Sequence, residues 1–445
     1  MRGQENLDTR SNSPRNRPKF HTVGVMRSFP SLVILCALAL VGPAVASASA
    51  EDGVPTGQPM PDPTSPLAVV QGTHKPQTSD GVIGQVPDDD AWAPPPFARN
   101  RFDTTVLRTW QVVPGVDAVV WDEVTPRGPI HASLLTIKMS AANVSIDYGN
   151  AGPVKQTAPM KKIVRRNGAI AGVNGDFFDI GDTGAPLGVG RDRTRGLLSG
   201  RLSGWNSAFY VTKQGHVKIG PITVRTKVAG RPNLVITNYN SPSVQPQKIG
   251  LYTAAWGYTS GYRVTDGVRK GVRMALIRGG KVVRTSTKLP KGTKITGKML
   301  IGRGKGAKQL AKLKRGMKVK LTTSVSKSPQ MVITGNQFLL RDGLIDVVDD
   351  RVMHPRTAVG IDRDTRTVLL LVIDGRQDIS RGYTMVELAN KMIELGADEA
   401  LNLDGGGSST MVALNRKGTS TILNSPSGGV QRYVANGIVV KYHGG

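Results

Sequence analysis

Leu401-Asn402-Leu403-Asp404-Gly405-Gly406-Gly407-Ser408-Ser409-Thr410 decides how this chain folds and where it works. Glycine loses more conformational freedom on folding than any other residue, so three in a row fit a backbone that turns tightly or lies against a ligand. Upstream, Thr384 and Glu387 fit a capping box, and Met385, Leu388, Ala389, Met392 and Ile393 recur at helical spacing. Gly396 stands where a C-terminal glycine stop belongs. Ala400 to Leu403 reads as a buried strand. Further back, the apolar run Val368 to Ile373 ends at Asp374-Gly375-Arg376. The whole is strand, helix, strand. With the two strands parallel in one sheet, the crossover is right-handed. Asp374 and Asp404 then emerge at one edge, where ligands collect in α/β sheets.

The expected fold class is therefore α/β (mixed α+β). It comprises a catalytic domain with a βαβ unit and strand-end glycine loops, and a basic β-rich subdomain inserted in it. Residues 1–50 read as a secretory signal peptide. Arg15, Arg17, Lys19 and Arg27 precede the apolar stretch Ser31 to Val41, and Ala46-Ser47-Ala48 and Ala48-Ser49-Ala50 are acceptable cleavage sites. The apolar stretch is short for a membrane span, so no span is expected after cleavage. Cys36, the single cysteine, lies inside it. A mature chain without cysteine suits a bacterial exoenzyme that is secreted, extracellular or associated with the cell wall. Residues 51–100, rich in Pro, Gly and Asp, read as a linker. Residues 101–210 and 331–445 read as the catalytic domain, and 211–330 as the basic β-rich subdomain within it.

The formal net charge is +27. Residues 211–330 hold 26 Lys/Arg and one acid, Asp266. Such a field attracts polyanions, and anionic wall polymers are the expected partners of this stretch. It is also what a solvated surface of an exported protein looks like. Nucleic acid is the weaker partner choice, because the window has few aromatics and no recognisable binding module.

Two carboxylates at one edge, Asp374 and Asp404, suit acid–base or nucleophilic work at a sugar, or the binding of a cation. Arg356 and Arg376 suit a phosphate, since a guanidinium matches its oxygens in a fork. The amides from Gly405 to Ser409 suit an anion nest. Each has a plain structural reading beside it. Asp374-Gly375 and Asp404-Gly405 also read as ordinary turns, Glu387 as a capping-box partner, His354 as a loop residue, and Asn174 as a turn former. Ser408 and Ser409 lack the Gly-x-Ser-x-Gly elbow, no Gly-Lys-Ser/Thr follows the glycines, and no His/Cys cluster supports zinc. A faint echo links two places. A helix, Gly168-Ala169, a strand and Asn174-Gly175-Asp176 resemble the later helix, Gly396-Ala397, strand and Asp404-Gly405-Gly406.

Gly172-Val173-Asn174-Gly175-Asp176-Phe177-Phe178-Asp179, Pro355-Arg356-Thr357-Ala358-Val359-Gly360, Asp374-Gly375-Arg376, Leu403 to Met411, and Val434-Ala435-Asn436-Gly437 together resemble the phosphodiester glycosidase family. This is the family of N-acetylglucosamine-1-phosphodiester α-N-acetylglucosaminidases, and the resemblance covers roughly residues 100–445. It implies hydrolysis of a sugar-1-phosphodiester to free sugar and a phosphomonoester, here on phosphate-bearing cell-wall or extracellular glycans such as exopolysaccharide. It also implies roles. Asp374, Asp404 and Asp176 would be the catalytic carboxylates. Asn174, Arg356, Arg376, Gly406, Gly407, Ser408, Ser409 and Asn436 would bind substrate. No metal ligand and no cofactor is expected, with a divalent cation left open. The alternative is a non-catalytic protein that binds anionic glycan through 211–330.

Overall fold

The computed structural model describes residues 103–444, together with the two-residue strands Gln77–Thr78 and Gly81–Val82. The signal peptide lies outside the described residues, as does all of the expected linker apart from those two strands. Among the described residues no helix is long and apolar enough to cross a membrane.

An eight-stranded sheet carries the Asp374 and Asp404 strands. Its order is Leu344–Ile345, Phe338–Arg341, Glu399–Asn402, Arg356–Asp362, Thr367–Ile373, Gly128–Lys138, Val116–Thr125, Asp103–Val113. Every neighbouring pair in it is antiparallel. Thr367–Ile373 and Glu399–Asn402 do run in the same direction, but Arg356–Asp362 lies between them, antiparallel to both. The expected βαβ unit is therefore split, with its helix crossing over one intervening strand. Asp374 and Asp404 still leave the sheet at one edge, and Arg356 enters there.

A five-stranded antiparallel sheet, ordered Ser420–Ile422, Met411–Leu414, Ala171–Asn174, Asn436–Tyr442, Val144–Asn150, faces the first. Period-two alternation explains how one strand serves two layers. Val368, Leu370 and Val372 join Val173, Met411, Ile438 and Val440 in the core between the sheets. Leu369, Leu371 and Ile373 point the other way, to Met385, Leu388 and Met392 of helix Met385–Glu394. Burial on both faces is why this strand reads as an unbroken apolar run. Helix Met160–Arg166 covers the outer face of the small sheet through Met160, Ile163 and Val164. The layers run helix, sheet, sheet, helix. The chain is mostly strand with few helices, more β-rich than the α/β expectation.

The crossover helix begins as its sequence indicates. Thr384 Oγ1 accepts from Glu387 N at 3.1 Å and the Glu387 carboxylate accepts from Thr384 N at 2.9 Å. Glu387 also grips Arg381 bidentately at 2.6 and 2.9 Å. Gly396, at φ 93°, follows the helix end in the left-handed region that favours glycine.

A third sheet takes twelve strands from the stretch between Gly190 and Gly335, and the basic residues 211–330 lie within it. It is antiparallel except where Ile236–Tyr239 meets Ile249–Thr253. Strand Val272–Arg278 and helix Lys305–Ala311 both belong to this region. Leu310, Leu300, Leu251, Ala275 and Val319 form a core there.

Candidate active site

Strand ends from both facing sheets meet at one end of the sandwich, and Asn174 joins them. Its Nδ2 donates to the Asp404 carbonyl, while its Oδ1 accepts from Thr410 N at 3.0 Å and from Thr357 Oγ1 at 2.9 Å. The backbone adds a bond from Asp404 N to Gly175 O at 2.8 Å. Asp176 N donates to Asn436 Oδ1 at 2.8 Å, and Gly175 N to Asn436 O at 3.1 Å. Four of the five sequence motifs are thereby bonded to one another, and all of these side chains are buried. The two helix–strand units that echo each other in sequence meet here at their ends.

Each glycine of the triplet has its own reason. Gly405 is extended, and Gly406, at φ 56°, turns the chain and donates its N–H to Pro355 O at 2.8 Å. A Cβ on Gly407 would stand 2.5 Å from Arg432 Nη2, so the guanidinium lies where a side chain would be. Gly407→Ala must displace the flexible end of Arg432 but strains no backbone. Full retention of the fold with a rate loss on the order of 10²-fold is expected from a shift of this size near the reacting centre. Circular dichroism and steady-state kinetics on the same sample check it. Ser408 Oγ has no hydrogen-bond partner among the described residues, and Ser409 Oγ lies 3.3 Å from Thr357 Oγ1.

Asp374 sits in a different arrangement. Asn424 Nδ2 donates to its Oδ1 at 2.7 Å, Ser425 N donates to its Oδ2 at 2.6 Å, and His131 Nε2 lies 4.0 Å away. His131 Nδ1 is 2.6 Å from the half-exposed Asp122. Asn424 also reaches Ser409 O at 3.1 Å, which links Asp374 to the glycine loop. Burial raises the Asp374 carboxyl to about 6, against the lowering pull of Asn424 and the Ser425 amide. A carboxyl raised on folding holds a proton that the unfolded chain has already released between about pH 4 and 6. Stability from this group is therefore greatest below the unfolded value and falls as pH rises through about 6, by about 3 kcal/mol in total. Urea denaturation of Asp374→Asn beside the parent, from pH 4 to 7, should show a shallower decline in the variant. Parallel curves would remove Asp374 as the source.

Arg376, next but one, holds a left-handed φ of 59°, a conformation that strains a side chain bearing a Cβ. Its Nη2 donates to His354 Nδ1 at 2.7 Å. Arg356 donates from Nε to Tyr383 O at 2.9 Å and from Nη2 to Val352 O at 3.0 Å. These two arginines, singled out for phosphate, are thus also engaged in holding loops 352–355 and 381–383 at the rim.

Sequence reading did not find Arg201. It lies at the end of strand Gly196–Arg201, is 3% exposed, and its Nε has no hydrogen-bond partner among the described residues. Burial lowers its ionisation to about 10, partly restored by the nearby Asp176. Asp176 accepts from Gly188 N at 2.8 Å through Oδ2, while Oδ1 has no partner among the described residues. Burial first, and then the charge of Asp404, raises the Asp176 carboxyl well above the usual carboxylate range. Ser199 Oγ and the Tyr148 ring adjoin Gly190 on the same side; Ser199 Oγ is likewise without a partner among the described residues, and the Tyr148 hydroxyl faces the Asn436 side chain. Buried polar atoms are normally satisfied, so several unpaired ones around a buried cation call for an explanation. No motif marks Arg201 in the sequence, and the only signal is a cation inside an otherwise apolar and small strand, Gly-Leu-Leu-Ser-Gly-Arg. Arg432 and Asn424 were missed for a similar reason, because they belong to loops that only the fold brings to the glycines. Among the described residues no group of three or more His, Cys, Asp or Glu side chains is placed to hold a metal ion.

Residues 271–441 match the family model described as phosphodiester glycosidase, in line with the resemblance read from the motifs. A curated relative, the SPβ prophage-derived uncharacterized protein YomE of Bacillus subtilis (strain 168), is 34% identical over 94 residues, or 21% of this chain and 14% of that protein. The chain thus aligns with only a small part of that relative's length. Among solved structures, a hypothetical protein from Synechocystis overlays with a TM-score of 0.63 at 21% identity, covering 76% of this chain and 63% of the other. A protein from Burkholderia pseudomallei K96243, whose name describes it as exported, gives 0.65 at 17% identity over 79% of this chain and 99% of the other. At such identities these two structures show a shared fold.

Proposed function

We propose that this chain, which carries the phosphodiester glycosidase signature over 271–441, is an exported hydrolase of sugar-1-phosphodiesters. The observation that carries the reading is the single bonded cluster of Asn174, Asp176, Asp404 and Asn436 beside the glycine loop. Two carboxyl groups with different environments are what glycoside hydrolysis requires. Asp176, whose protonated form is favoured by burial and by the nearby Asp404, acts as the proton donor. Asp404 stabilises the positive charge that develops at the anomeric carbon, as base or nucleophile. The bond between that carbon and the bridging phosphate oxygen breaks, and water supplies hydroxyl to the carbon and a proton to the phosphomonoester. A phosphorylated oxygen already leaves well, so holding the phosphate matters more than protonating it. Arg201 is the buried cation suited to that task, with Arg356 and Arg376 ordering the rim. Asp374 ties the 424–425 loop to the glycines and sets the ionic state there. No cofactor takes part in this scheme, and a divalent cation is a separate variable of the assay. Export follows from the leader read at residues 1–50, and the substrates proposed are phosphate-linked wall or extracellular glycans.

Incubation with an α-N-acetylglucosamine-1-phosphodiester, with and without added Mg²⁺ or Ca²⁺, tests the reading by release of free sugar and phosphomonoester. Asp404→Asn and Asp176→Asn should each lower the rate by about 10²- to 10⁴-fold, the range for a lost acid–base group. Full activity in both variants would remove the site assignment. No turnover by the parent protein across a panel of sugar phosphodiesters would remove the enzyme reading itself.

A further inference from the structure

The basic sheet carries a cleft of about 570 Å³ lined by Arg278, Lys281, Lys298, Lys318 and Lys320, with no acidic residue on its wall. All five cations are exposed. The turn Gly279-Gly280 has φ of 53° and 71°, the double positive φ of a tight type I′ hairpin, and sets Arg278 opposite Lys281. Lys281 in turn faces Lys318 across an antiparallel bridge, reinforced by Val319 N to Gly280 O at 2.7 Å. Like charges directly opposed are destabilising. Nothing from the same stretch relieves them: Asp266, the one acid between 211 and 330, is buried against Arg303 at 2.5 Å. Lys318 and Lys320 alternate with buried Val319 and Leu321, which puts both lysines on one side about 6.6 Å apart. Two of the five cations are held in place, Arg278 by Thr296 O at 2.8 Å and Lys298 by Leu321 O at 3.3 Å.

We propose that this cleft is a docking groove for a linear polyanion whose backbone repeats phosphate diesters, separate from the hydrolytic site. A single phosphate is best held by a guanidinium fork or a nest of amides. A row of spaced lysines instead matches charges that repeat along a chain. No aromatic side chain lines the cleft, so bases have no stacking platform, which favours a glycan or polyol phosphate over single-stranded nucleic acid. The choice of polymer rests on the hydrolase reading, whereas the anion preference rests on the cleft alone.

The test uses the whole protein and a fluorescently labelled poly(glycerol phosphate), titrated at several salt concentrations. The variant K281Q/K318Q/K320Q should bind at least about ten-fold more weakly at low salt and show a shallower dependence of affinity on salt, because fewer counterions are released. The control K213Q/K218Q/K227Q removes as many exposed lysines of the same stretch outside the cleft and should stay within about two-fold of the parent. Equal weakening in both triples would overturn the cleft as a site, and so would unchanged binding in the first. Tighter binding of DNA than of the polymer at the same salt would overturn the ligand assignment. Hydrolysis of a small soluble sugar-1-phosphodiester should be unchanged in the cleft variant, and a loss there would overturn the separation of groove from site. A parent protein that hydrolyses nothing, yet loses polymer binding in the cleft variant alone, would support the groove and remove the hydrolase reading.

Discussion

Arg201→Met is expected to make the unliganded protein more stable and the enzyme inactive. The guanidinium is 3% exposed, its Nε is unpaired among the described residues, and burial has lowered its ionisation to about 10. A depression of that size corresponds to about 3 kcal/mol spent on keeping the charge in place. Methionine ends about where Nε stands, but it is apolar and flexible enough to adapt to the space and needs no partner. Replacing buried charges by packed apolar groups is often neutral or stabilising by about 1–4 kcal/mol, and a gain of about 1–3 kcal/mol is expected here. Asp176 should titrate still higher in the variant, since Arg201 lowers it. Turnover of the phosphodiester should fall by about 10³-fold, the scale for removing an electrostatic clamp from a charged transition state. Chemical denaturation and kinetics on one preparation decide the matter. Destabilisation by several kcal/mol would instead make Arg201 a structural strut, and full activity would remove it from the site.

Asn174→Ala is expected to have the opposite sign on stability. Its amide accepts from Thr357 and Thr410 and donates to Asp404, all within the buried seam between the sheets. Truncation removes these bonds and leaves two donors and a carbonyl in a dry environment. With about 1–3 kcal/mol for each buried group left unsatisfied, a loss of about 3–5 kcal/mol is expected. Asn174→Asp keeps the accepting oxygens but cannot donate to the Asp404 carbonyl, so it should rescue little. A loss under about 1 kcal/mol together with abolished turnover would make Asn174 a substrate-binding group and not the joint between sheets.

How far these residues were legible in the sequence depends on the length scale of their causes. The crossover helix was legible to its capping box, because Thr384, Glu387 and Gly396 act within a few residues of one another. The apolar run from Val368 to Ile373 announced a strand buried on both faces, and the acids at its end and at Asp404 were expected at a common edge, as found. Sheet order was not legible. Nothing near Arg356 says that its strand inserts between the two flanking the helix, since pairing partners are chosen over tens of residues by side-chain fit. The facing small sheet was invisible for the same reason, which is why the chain is more β-rich than expected. Asn174 was read as a ligand to substrate, yet its bonds inside the protein are what its surroundings reveal. Arg201 has no local pattern to betray it. A buried cation looks like any other arginine until the layers close over it.

The bonds that join the two sheets also fix when the protein becomes complete. Asn174 meets Asp404 across 230 residues, Asp176 meets Asn436 across 260, and the strand Gly128–Lys138, paired on one side with its neighbour Val116–Thr125, finds its second partner only at Thr367–Ile373. Contacts this distant along the chain require large loops to close before any bonding repays the entropy, which makes folding slow. A chain interrupted anywhere before Asn436 therefore leaves Asp176 without its partner. The buried cluster of Asn174, Asp176, Asp404 and Asn436 is thus complete only once strand Asn436–Tyr442 is in place.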